Sequence, residues 1–246
     1  MNAPPAALIL AGSRPGAPDP VALAEGVPHK ALALVAGQTL LARVAAALAG
    51  HSIAVSADHP AVVAEAHRLG LAVLPPAAGP SASVAAALTA LGTPLVVTTA
   101  DHALLRPEWV AALVAGTPPG SDVALMLAER TRVEADAPPS RRTWLTFADG
   151  DWSGCNLFHL ATPQAARAID LWRLVEADRK RPWRIVARLG PGLLLAFLLR
   201  RLTLARAIAT LGAKAGVRAA IVAAPHGLAA VDVDSVADLA LVRTLI

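Results

Sequence analysis

The feature that most constrains the fold is an alternation of short apolar runs with helical patterns in the first half of the chain. Strands are predicted near residues 6–11, 52–56, 71–74 and 94–99, and helices near 39–48, 60–69, 81–91 and 107–114. Strands that alternate with helices pair in parallel through right-handed crossovers. Continuous apolar strands are typical of a sheet covered on both faces. The pattern therefore predicts an α/β protein with a mostly parallel central sheet.

The second half is less regular. It predicts strands over 122–129, 143–147, 155–160, 217–224 and 229–234, a turn-rich connection over 148–154, a mobile loop over 135–142, and a last helix capped by Ser235. The apolar run "LGPGLLLAFLL" over 189–199 is shorter than the roughly 20 residues that span a bilayer. A buried helix is the main interpretation of this run, and contact with a membrane surface is the alternative.

Composition limits the function classes. The chain has 246 residues, 55% of them hydrophobic, which is enough for one large core. Its net charge of +4 favours anionic ligands in general. An aromatic content of 3%, with no recognisable binding module, argues against nucleic acid as a partner. The single cysteine, Cys155, excludes an intramolecular disulfide and fits a reducing compartment, so a cytoplasmic location is expected.

The loop after the first predicted strand lies at the edge where open α/β sheets bind ligands. It contains Gly12 and Arg14, and Lys30 follows it. Glycine lets the backbone approach phosphate oxygens, although glycine after a strand is also ordinary turn chemistry. A guanidinium fork and an ammonium group together suit a triphosphate better than a neutral ligand.

This loop, "GSRPGAPDP", has neither of the two common phosphate-binding signatures. A Walker loop needs G-x-x-x-x-G-K-[ST], and a dinucleotide fold needs G-x-G-x-x-G leading directly into a helix. The prolines at 15, 18 and 20 prevent an immediate helix. P-loop ATPases and Rossmann dehydrogenases are therefore disfavoured.

Asp101 follows a buried apolar strand in "TPLVVTTADHALL". A carboxylate at such a place needs a partner, and Mg²⁺ is a natural one because it is held by one or two carboxylates together with substrate phosphates. The alternative is a helix cap, but the helix near residue 107 begins too far downstream for direct capping.

Taken in order, these motifs resemble the MobA-like nucleotidyltransferases, a family that includes molybdenum-cofactor guanylyltransferase and is related to the methylerythritol phosphate cytidylyltransferase. The matching stretches are "LILAGSR", "VPHKALALVAGQTLLARV", "LVVTTADHALL" and "VDVDSVADLALV", which extend over nearly the whole chain. The resemblance implies a Rossmann-like three-layer sandwich, a fold like that of GT-A enzymes. It also implies one domain over 1–246, with a helical insertion on the acceptor side at about 162–216.

The resemblance also assigns residue roles. Leu10, Ala11, Gly12 and Ser13 would form the nucleotide-binding loop, Arg14 and Lys30 would hold the triphosphate, and Asp101 would bind Mg²⁺. Gly79, Ser81 and Ser83 would contact the base and ribose, although Ser81 also suits a plain helix start. Asp234, with Asp232 as its neighbour, would supply a second metal ligand, since strand alternation puts both on one face. Asn156 in "SGCNLFHL" would lie near the acceptor.

Two departures from the family pattern concern the phosphate site. Ser13 replaces the usual second glycine, and His29 stands before the lysine where proline is usual. The spacing from Gly12 to Lys30 is also longer than the family pattern suggests.

The implied reaction transfers a nucleoside monophosphate from a triphosphate, CTP or GTP first of all, to a phosphorylated small-molecule or lipid-linked acceptor, with release of pyrophosphate. Mg²⁺ is the implied cofactor. A nucleotide-sugar-dependent glycosyltransferase of the same fold and a non-catalytic nucleotide-binding regulator are the alternatives, and pyrophosphate release separates the first function from both.

The pair Cys155 and His159 and the basic segment from residue 173 each have a functional and a structural interpretation. Cys155 and His159 would lie about 13 Å apart on a strand, too far for a nucleophilic pair, and the histidines show no spacing typical of zinc. The basic run over 173–188 and the apolar segment after it are interpreted either as a solvated helix face or as a lid over a large phosphorylated acceptor.

Overall fold

The computed structural model describes residues 4–12, 19–138, 142–169, 171–173 and 190–246. The chain divides into two compact units, which we call the first unit (Met1–Ala111 with Val231–Ile246) and the second unit (Ala112–Ala230). The expectation of one domain with an insertion at 162–216 stays a prediction.

The strands are β1 (Ala6–Leu10), β2 (Leu34–Val35), β3 (Gln38–Thr39), β4 (Ile53–Ser56), β5 (Ala72–Leu74), β6 (Leu95–Thr99), β7 (Val123–Glu129), β8 (Leu145–Phe147), β9 (Gly150–Leu160) and β10 (Ala219–Ala223). The α-helices are α1 (Pro20–Glu25), α2 (Leu40–Ala47), α3 (Pro60–Arg68), α4 (Pro80–Leu91), α5 (Pro107–Gly116), α6 (Arg130–Asp136), α7 (Pro191–Leu198), α8 (Leu204–Lys214) and α9 (Val236–Thr244). Short 3-10 helices cover Lys30–Leu32, Pro163–Arg167 and Gly227–Ala230.

The first unit is built on four parallel strands in the order β6-β1-β4-β5. The central strand β1 is buried at Ala7, Leu8 and Ile9, as its apolar sequence predicts. In the register, Leu10 at the end of β1 lies beside Thr99 of β6 and Ser56 of β4. The carboxyl ends of these three strands therefore form one edge. The α/β class and the parallel strands predicted for this half are confirmed.

The last helix, α9, is fastened to the beginning of the first unit. Ser235 caps it as predicted, because its Oγ accepts a hydrogen bond from the Asp238 N–H. Near the other end of the helix, the Arg243 guanidinium binds the Glu25 carboxylate and donates to the Leu34 carbonyl. Residues 231–246 thus belong to the first unit through specific contacts.

The second unit has a mixed sheet in the order β10-β7-β9-β8, in which only β10 and β7 are parallel. Helix α8 lies very close to β10. A Cβ added at Gly212 would come within 2.7 Å of the Ala219 Cβ and 2.8 Å of the Val217 carbonyl oxygen, so only glycine fits there.

Two strand predictions for the second half need correction. Residues 229–234 are not a strand: Gly227–Ala230 is a 3-10 helix and the next residues have no regular structure, because Val233 bonds to the backbone of Asp101 instead of to a strand. The turn predicted over 148–154 is wrong beyond Gly150, since β9 begins there and pairs with β8 through a tight turn.

The apolar run over 189–199 forms α7, but this helix has no buried residue, which contradicts the predicted buried helix. Its inner residues pack near Leu202, whereas Leu195 and Leu198 are exposed. An apolar composition all round the helix predicts burial but cannot show which face the core covers. In the described part of the chain, no helix is long and apolar enough to cross a membrane.

The loop predicted over 135–142 is shorter than expected, because α6 continues to Asp136. Of the remainder, residues 139–141 lie outside the described residues.

Asp122 connects three segments at the start of β7. Its carboxylate accepts hydrogen bonds from the Thr162 hydroxyl at 2.6 Å and from the Arg218 N–H at 2.8 Å. Its backbone also bonds to Arg218 and Ala161. These hydrogen bonds, that of the Arg218 N–H first, hold the pKa of Asp122 below its ordinary value.

We expect Asp122→Ala to lower the free energy of unfolding by about 2–3 kcal/mol at pH 7, because hydrogen bonds to a charged carboxylate are lost. Since the pKa of Asp122 is lower in the folded protein, its contribution is present above the unfolded pKa near 4 and is lost as the pH falls through the folded pKa. Urea unfolding between pH 7 and pH 3 should show the variant and the parent converging in acid. Glu108→Gln, an exposed acid, is the matched control, and equal stability at pH 7 would contradict the role of Asp122.

Candidate active site

The candidate site lies at the carboxyl edge of the first unit's sheet, where the loops after β1 and β6 leave side by side. The Ala100 N–H donates to the Leu10 carbonyl, and the Ala11 N–H donates to the Ser56 carbonyl. These backbone hydrogen bonds set where the loop after β1 and the loop after β6 begin. Asp101 is the second residue after β6, as the sequence predicts.

Lys30 reaches this edge from the first residue of a 3-10 helix. His29 caps that helix, because its Nδ1 accepts a hydrogen bond from the Ala31 N–H at 3.0 Å. The Lys30 Nζ then lies 2.6 Å from the Asp101 Oδ2, although the two residues are 71 positions apart. The structure thus brings together two of the predicted catalytic residues.

Among the described residues, the Lys30 ammonium has three acceptors. Besides Asp101, Nζ donates to the Val233 carbonyl at 3.2 Å and to the Asp234 Oδ1 at 3.3 Å. An ammonium group has three hydrogens, so these contacts use its full donor capacity. The Lys30 and Asp101 side chains are 21% and 13% exposed, whereas that of Asp234 is 69% exposed, so the cluster opens to solvent on the Asp234 side.

The charge of Lys30 is stabilised in place. Burial alone lowers the pKa of Lys30, but the charge and hydrogen bond of Asp101, together with the charge of Asp234, raise it above its ordinary value. The lysine is therefore an ammonium ion at every physiological pH.

Backbone hydrogen bonds bring Asp234 to the site. The Val233 N–H donates to the Asp101 carbonyl at 3.0 Å, while the Val233 carbonyl accepts from Lys30. The structure therefore brings Asp234 to Lys30 and Asp101, and its role as a metal ligand stays a prediction. The strand alternation that was expected to put Asp232 and Asp234 on one face is wrong, because these residues form no strand. The role of Asp232 as a neighbouring metal ligand stays a prediction.

One oxygen of Asp101 has no hydrogen-bond partner among the described residues. Its Oδ1 is buried and, within the described residues, accepts no hydrogen bond, and the same is true of the Thr99 hydroxyl oxygen two residues earlier. Buried polar atoms normally have partners, so an unsatisfied carboxylate oxygen at a ligand-binding edge fits a cation. The described residues contain no group of three metal-ligating side chains. A two-carboxylate set fits Mg²⁺, which takes further ligands from phosphates and water.

The predicted nucleotide-binding loop is described only in part. Leu10 ends β1, Ala11 is buried and Gly12 is exposed, whereas Ser13 and Arg14 lie outside the described residues. A Cβ at Gly12 would make only an ordinary contact with Pro76, at 3.9 Å, so the protein's own packing does not require glycine there. The roles of these residues stay predictions.

In the segment predicted to contact base and ribose, the Ser83 side chain forms hydrogen bonds to the backbone of the same segment. The Ser83 hydroxyl accepts from the Ala77 N–H at 2.9 Å and donates to the Gly79 carbonyl at 3.0 Å. Gly79 precedes α4, and Ser81 and Ser83 are buried in its first turn. Ser83 therefore shapes the loop that precedes α4, and the contacts with a nucleotide stay predictions.

Asn156, the predicted acceptor residue, belongs to the second unit. It has a left-handed backbone with φ of 47°, at an irregularity where β9 has more residues than β7 opposite it. Asparagine tolerates this conformation better than most residues. Bulges of this kind redirect side chains in many binding sites.

Two residues of the described site were not predicted. His29 was noted only as a departure from proline, and its capping role has no signature in the sequence. The Val233 carbonyl belongs to a main chain whose path depends on tertiary structure. Cys155 and His159 take no part in this site: both are buried in the second unit, where His159 contacts the Thr117 hydroxyl at 2.8 Å.

Comparison with known proteins shows the family and the fold of the chain. The parallel sheet with its charged carboxyl edge is an α/β structure of the nucleotidyltransferase fold. The chain belongs to the MobA-like NTP transferase domain family, whose model matches residues 7–227. No curated protein sequence matches the chain significantly.

Three solved structures illustrate the fold. A hypothetical transferase from Thermus thermophilus is 30% identical, with a TM-score of 0.79 over 96% of this chain and 99% of its own. A CMP:2-keto-3-deoxy-manno-octonic acid synthetase in complex with CTP is 18% identical, with a TM-score of 0.57 over 98% of both chains. The 2-C-methyl-D-erythritol 4-phosphate cytidylyltransferase from Thermus thermophilus is 16% identical, with a TM-score of 0.53 over 97% of this chain and 96% of its own.

The cap of the 3-10 helix gives a testable pH dependence. Burial holds the pKa of His29 below its ordinary value, with a smaller contribution from His59. In the unfolded chain His29 therefore binds a proton near pH 6.5, whereas in the folded chain it stays neutral at that pH. The free energy of unfolding consequently decreases as the pH falls from about 7 towards the pKa of His29 in the folded protein.

We expect His29→Asn to keep the cap, through its side-chain oxygen, and to lose less stability than the parent between pH 7 and pH 5. His29→Ala should cost about 1 kcal/mol at pH 7, because the cap is removed. Chemical unfolding at several pH values measures both effects. Identical pH profiles for the parent and His29→Asn would contradict the buried, neutral state of His29.

Proposed function

We propose that the protein is a Mg²⁺-dependent nucleotidyltransferase that transfers a nucleoside monophosphate from a nucleoside triphosphate to a phosphorylated acceptor and releases pyrophosphate. The observation that carries the proposal is the cluster of Lys30, Asp101 and Asp234 at the carboxyl edge of a parallel sheet. Membership of the MobA-like NTP transferase domain family supports it.

CTP is the first triphosphate to test, and GTP is the second. Two structures of similar fold are named as a CMP-sugar synthetase with bound CTP and as a cytidylyltransferase. The resemblance to guanylyltransferases of the MobA type is the reason for GTP.

In the proposed reaction, a phosphate oxygen of the acceptor attacks the α-phosphorus of the triphosphate. A new P–O bond forms, the bond to the bridging oxygen of the β-phosphate breaks, and pyrophosphate leaves with the electron pair. The protein has little covalent work in such a transfer, so positioning and charge stabilisation are its main contributions.

The chain's own residues have distinct parts in this mechanism. The backbone at Ala11 and Gly12, directly after β1, is proposed to contact the phosphates. Lys30 supplies a permanent positive charge for the leaving pyrophosphate. Arg14, outside the described residues, is proposed to share that role. Asn156 is proposed to orient the acceptor, which is a phosphorylated small molecule or a lipid-linked phosphate.

Asp101 and Asp234 would hold the metal. The unsatisfied Asp101 Oδ1 and the exposed Asp234 carboxylate are hard oxygen donors of the kind that Mg²⁺ prefers. When bound, Mg²⁺ neutralises charge on the phosphate oxygens as a Lewis acid.

Thermal unfolding with CTP, GTP, ATP or UTP in the presence of Mg²⁺ tests nucleotide binding without knowledge of the acceptor. We expect one pyrimidine or purine triphosphate to raise the Tm because it binds only the folded state. The increase should disappear in Asp101→Asn, which retains the shape of the side chain. No increase with any triphosphate at millimolar concentration would contradict the proposal and favour a nucleotide-sugar donor.

Lys30→Ala should lower kcat for pyrophosphate release about 10²- to 10³-fold, because a preorganised charge at the leaving group is removed. A coupled pyrophosphate assay with the triphosphate identified above measures this loss. The fold should persist in the circular dichroism spectrum.

Lys214→Ala is the matched control for this variant. Lys214 is an exposed lysine in the last turn of α8, and its removal should leave kcat unchanged. Turnover in Lys30→Ala equal to that of the parent would remove Lys30 from the mechanism.

A further inference from the structure

The Lys30 ammonium lies between the two carboxylates that are proposed to hold a metal ion. Its three hydrogens are directed to the Asp101 Oδ2, the Val233 carbonyl and the Asp234 Oδ1. Every donor of Lys30 is therefore used by the protein itself, and a phosphate can bind this group only by drawing it away from at least one acceptor.

From this arrangement we propose that Lys30 is the resident counter-ion of the Asp101–Asp234 pair and keeps divalent cations off that pair until a triphosphate binds. This inference rests on the proposed function for the nature of the ligand. It concerns the order in which the ligands arrive, and it makes metal binding depend on the nucleotide.

Charge balance supports this role. Two carboxylates and one ammonium leave a single net negative charge in the cluster, which attracts a divalent cation much less than two free carboxylates would. A metal at the Asp101 Oδ1 would also face an ammonium held 2.6 Å from the other oxygen of the same carboxylate. Like charges on one carboxylate repel each other, and the repulsion is stronger where water is partly excluded.

A triphosphate changes this balance. It carries several negative charges, and the lysine ammonium sits on a flexible four-carbon chain that can turn towards them. The Asp234 side of the cluster is exposed, so Lys30 has an open direction in which to move. Once Nζ contacts phosphate, both oxygens of Asp101 become available to a metal that arrives with the nucleotide.

The coupling is reciprocal. A ligand that draws Lys30 from the carboxylates raises their affinity for a metal, and a metal on the carboxylates favours Lys30 on the phosphates by the same factor. The raised pKa of Lys30 agrees with its charged state in the cluster.

The experiment measures binding of Mn²⁺ alone, without nucleotide, by electron paramagnetic resonance of the free ion. We expect the parent to bind Mn²⁺ weakly and Lys30→Met to bind it roughly tenfold more tightly or better. Lys30→Met with Asp101→Asn should lose this gain, and Lys214→Met should behave as the parent. Circular dichroism checks that each variant is folded.

Equal Mn²⁺ affinity in the parent and Lys30→Met would overturn the proposal, as would tight binding to the parent that Asp101→Asn abolishes. Lys30→Gln, which keeps a hydrogen-bond donor but no charge, takes the place of the methionine variant if that variant does not fold, and the same gain is expected. The result is separate from the proposed function. A gain in Mn²⁺ affinity with no Tm increase from any triphosphate would keep the counter-ion role and reject the nucleotidyltransferase.

Discussion

The ion pair between Lys30 and Asp101 is the interaction on which the rest of the site depends. It joins the segment after β1 to the loop after β6, and both side chains are mostly withdrawn from water. Withdrawal of two charges from water is costly, and the cost is offset only when geometry is good and the remaining donors and acceptors are used. Here the short contact, the Val233 carbonyl and the Asp234 carboxylate together use all three hydrogens of the ammonium. Within the described residues, the Asp101 Oδ1 and the nearby Thr99 hydroxyl are left without partners, and a cation is proposed to bind the Asp101 Oδ1.

The same ion pair suits the proposed transfer of a nucleoside monophosphate between phosphates. A lysine held by carboxylates is pre-positioned and fully charged, yet it is bound by contacts that a stronger anion can replace. The carboxylates, in turn, are held by backbone: Asp101 by its place after β6, and Asp234 by the hydrogen bond from Val233 to the Asp101 carbonyl. Carboxylates held by the main chain, together with an exchangeable counter-ion, would suit the highly charged ligand proposed for this site.

Sequence patterns predicted the parts of this structure that depend on local chemistry. The apolar runs of β1 and β6 fixed where the strands end, and Asp101 and Lys30 were correctly expected at that edge. Asp234 was nominated from a family motif and does lie beside Lys30, but the strand expected over 229–234 is absent, because the Val233 N–H bonds to the Asp101 carbonyl. The burial of α7 was wrong, because composition does not show how much of a helix the core covers. The His29 cap and the Val233 carbonyl could not be predicted, since both depend on where distant segments pack.

The first unit is discontinuous: residues 231–246 complete a structure that residues 1–111 begin. During synthesis, β1 and β6 leave the ribosome before the entire second unit, and the segment with Val233 and Asp234 follows it. Until then, Lys30 has Asp101 as a partner but lacks the Val233 carbonyl and the Asp234 carboxylate. Helix α1 likewise lacks the ion pair between Glu25 and Arg243. The charged cluster is thus among the last parts of the molecule to assemble. A chain that stops before residue 231 therefore lacks two of the three acceptors of Lys30, so the order of synthesis governs when the charged cluster is complete.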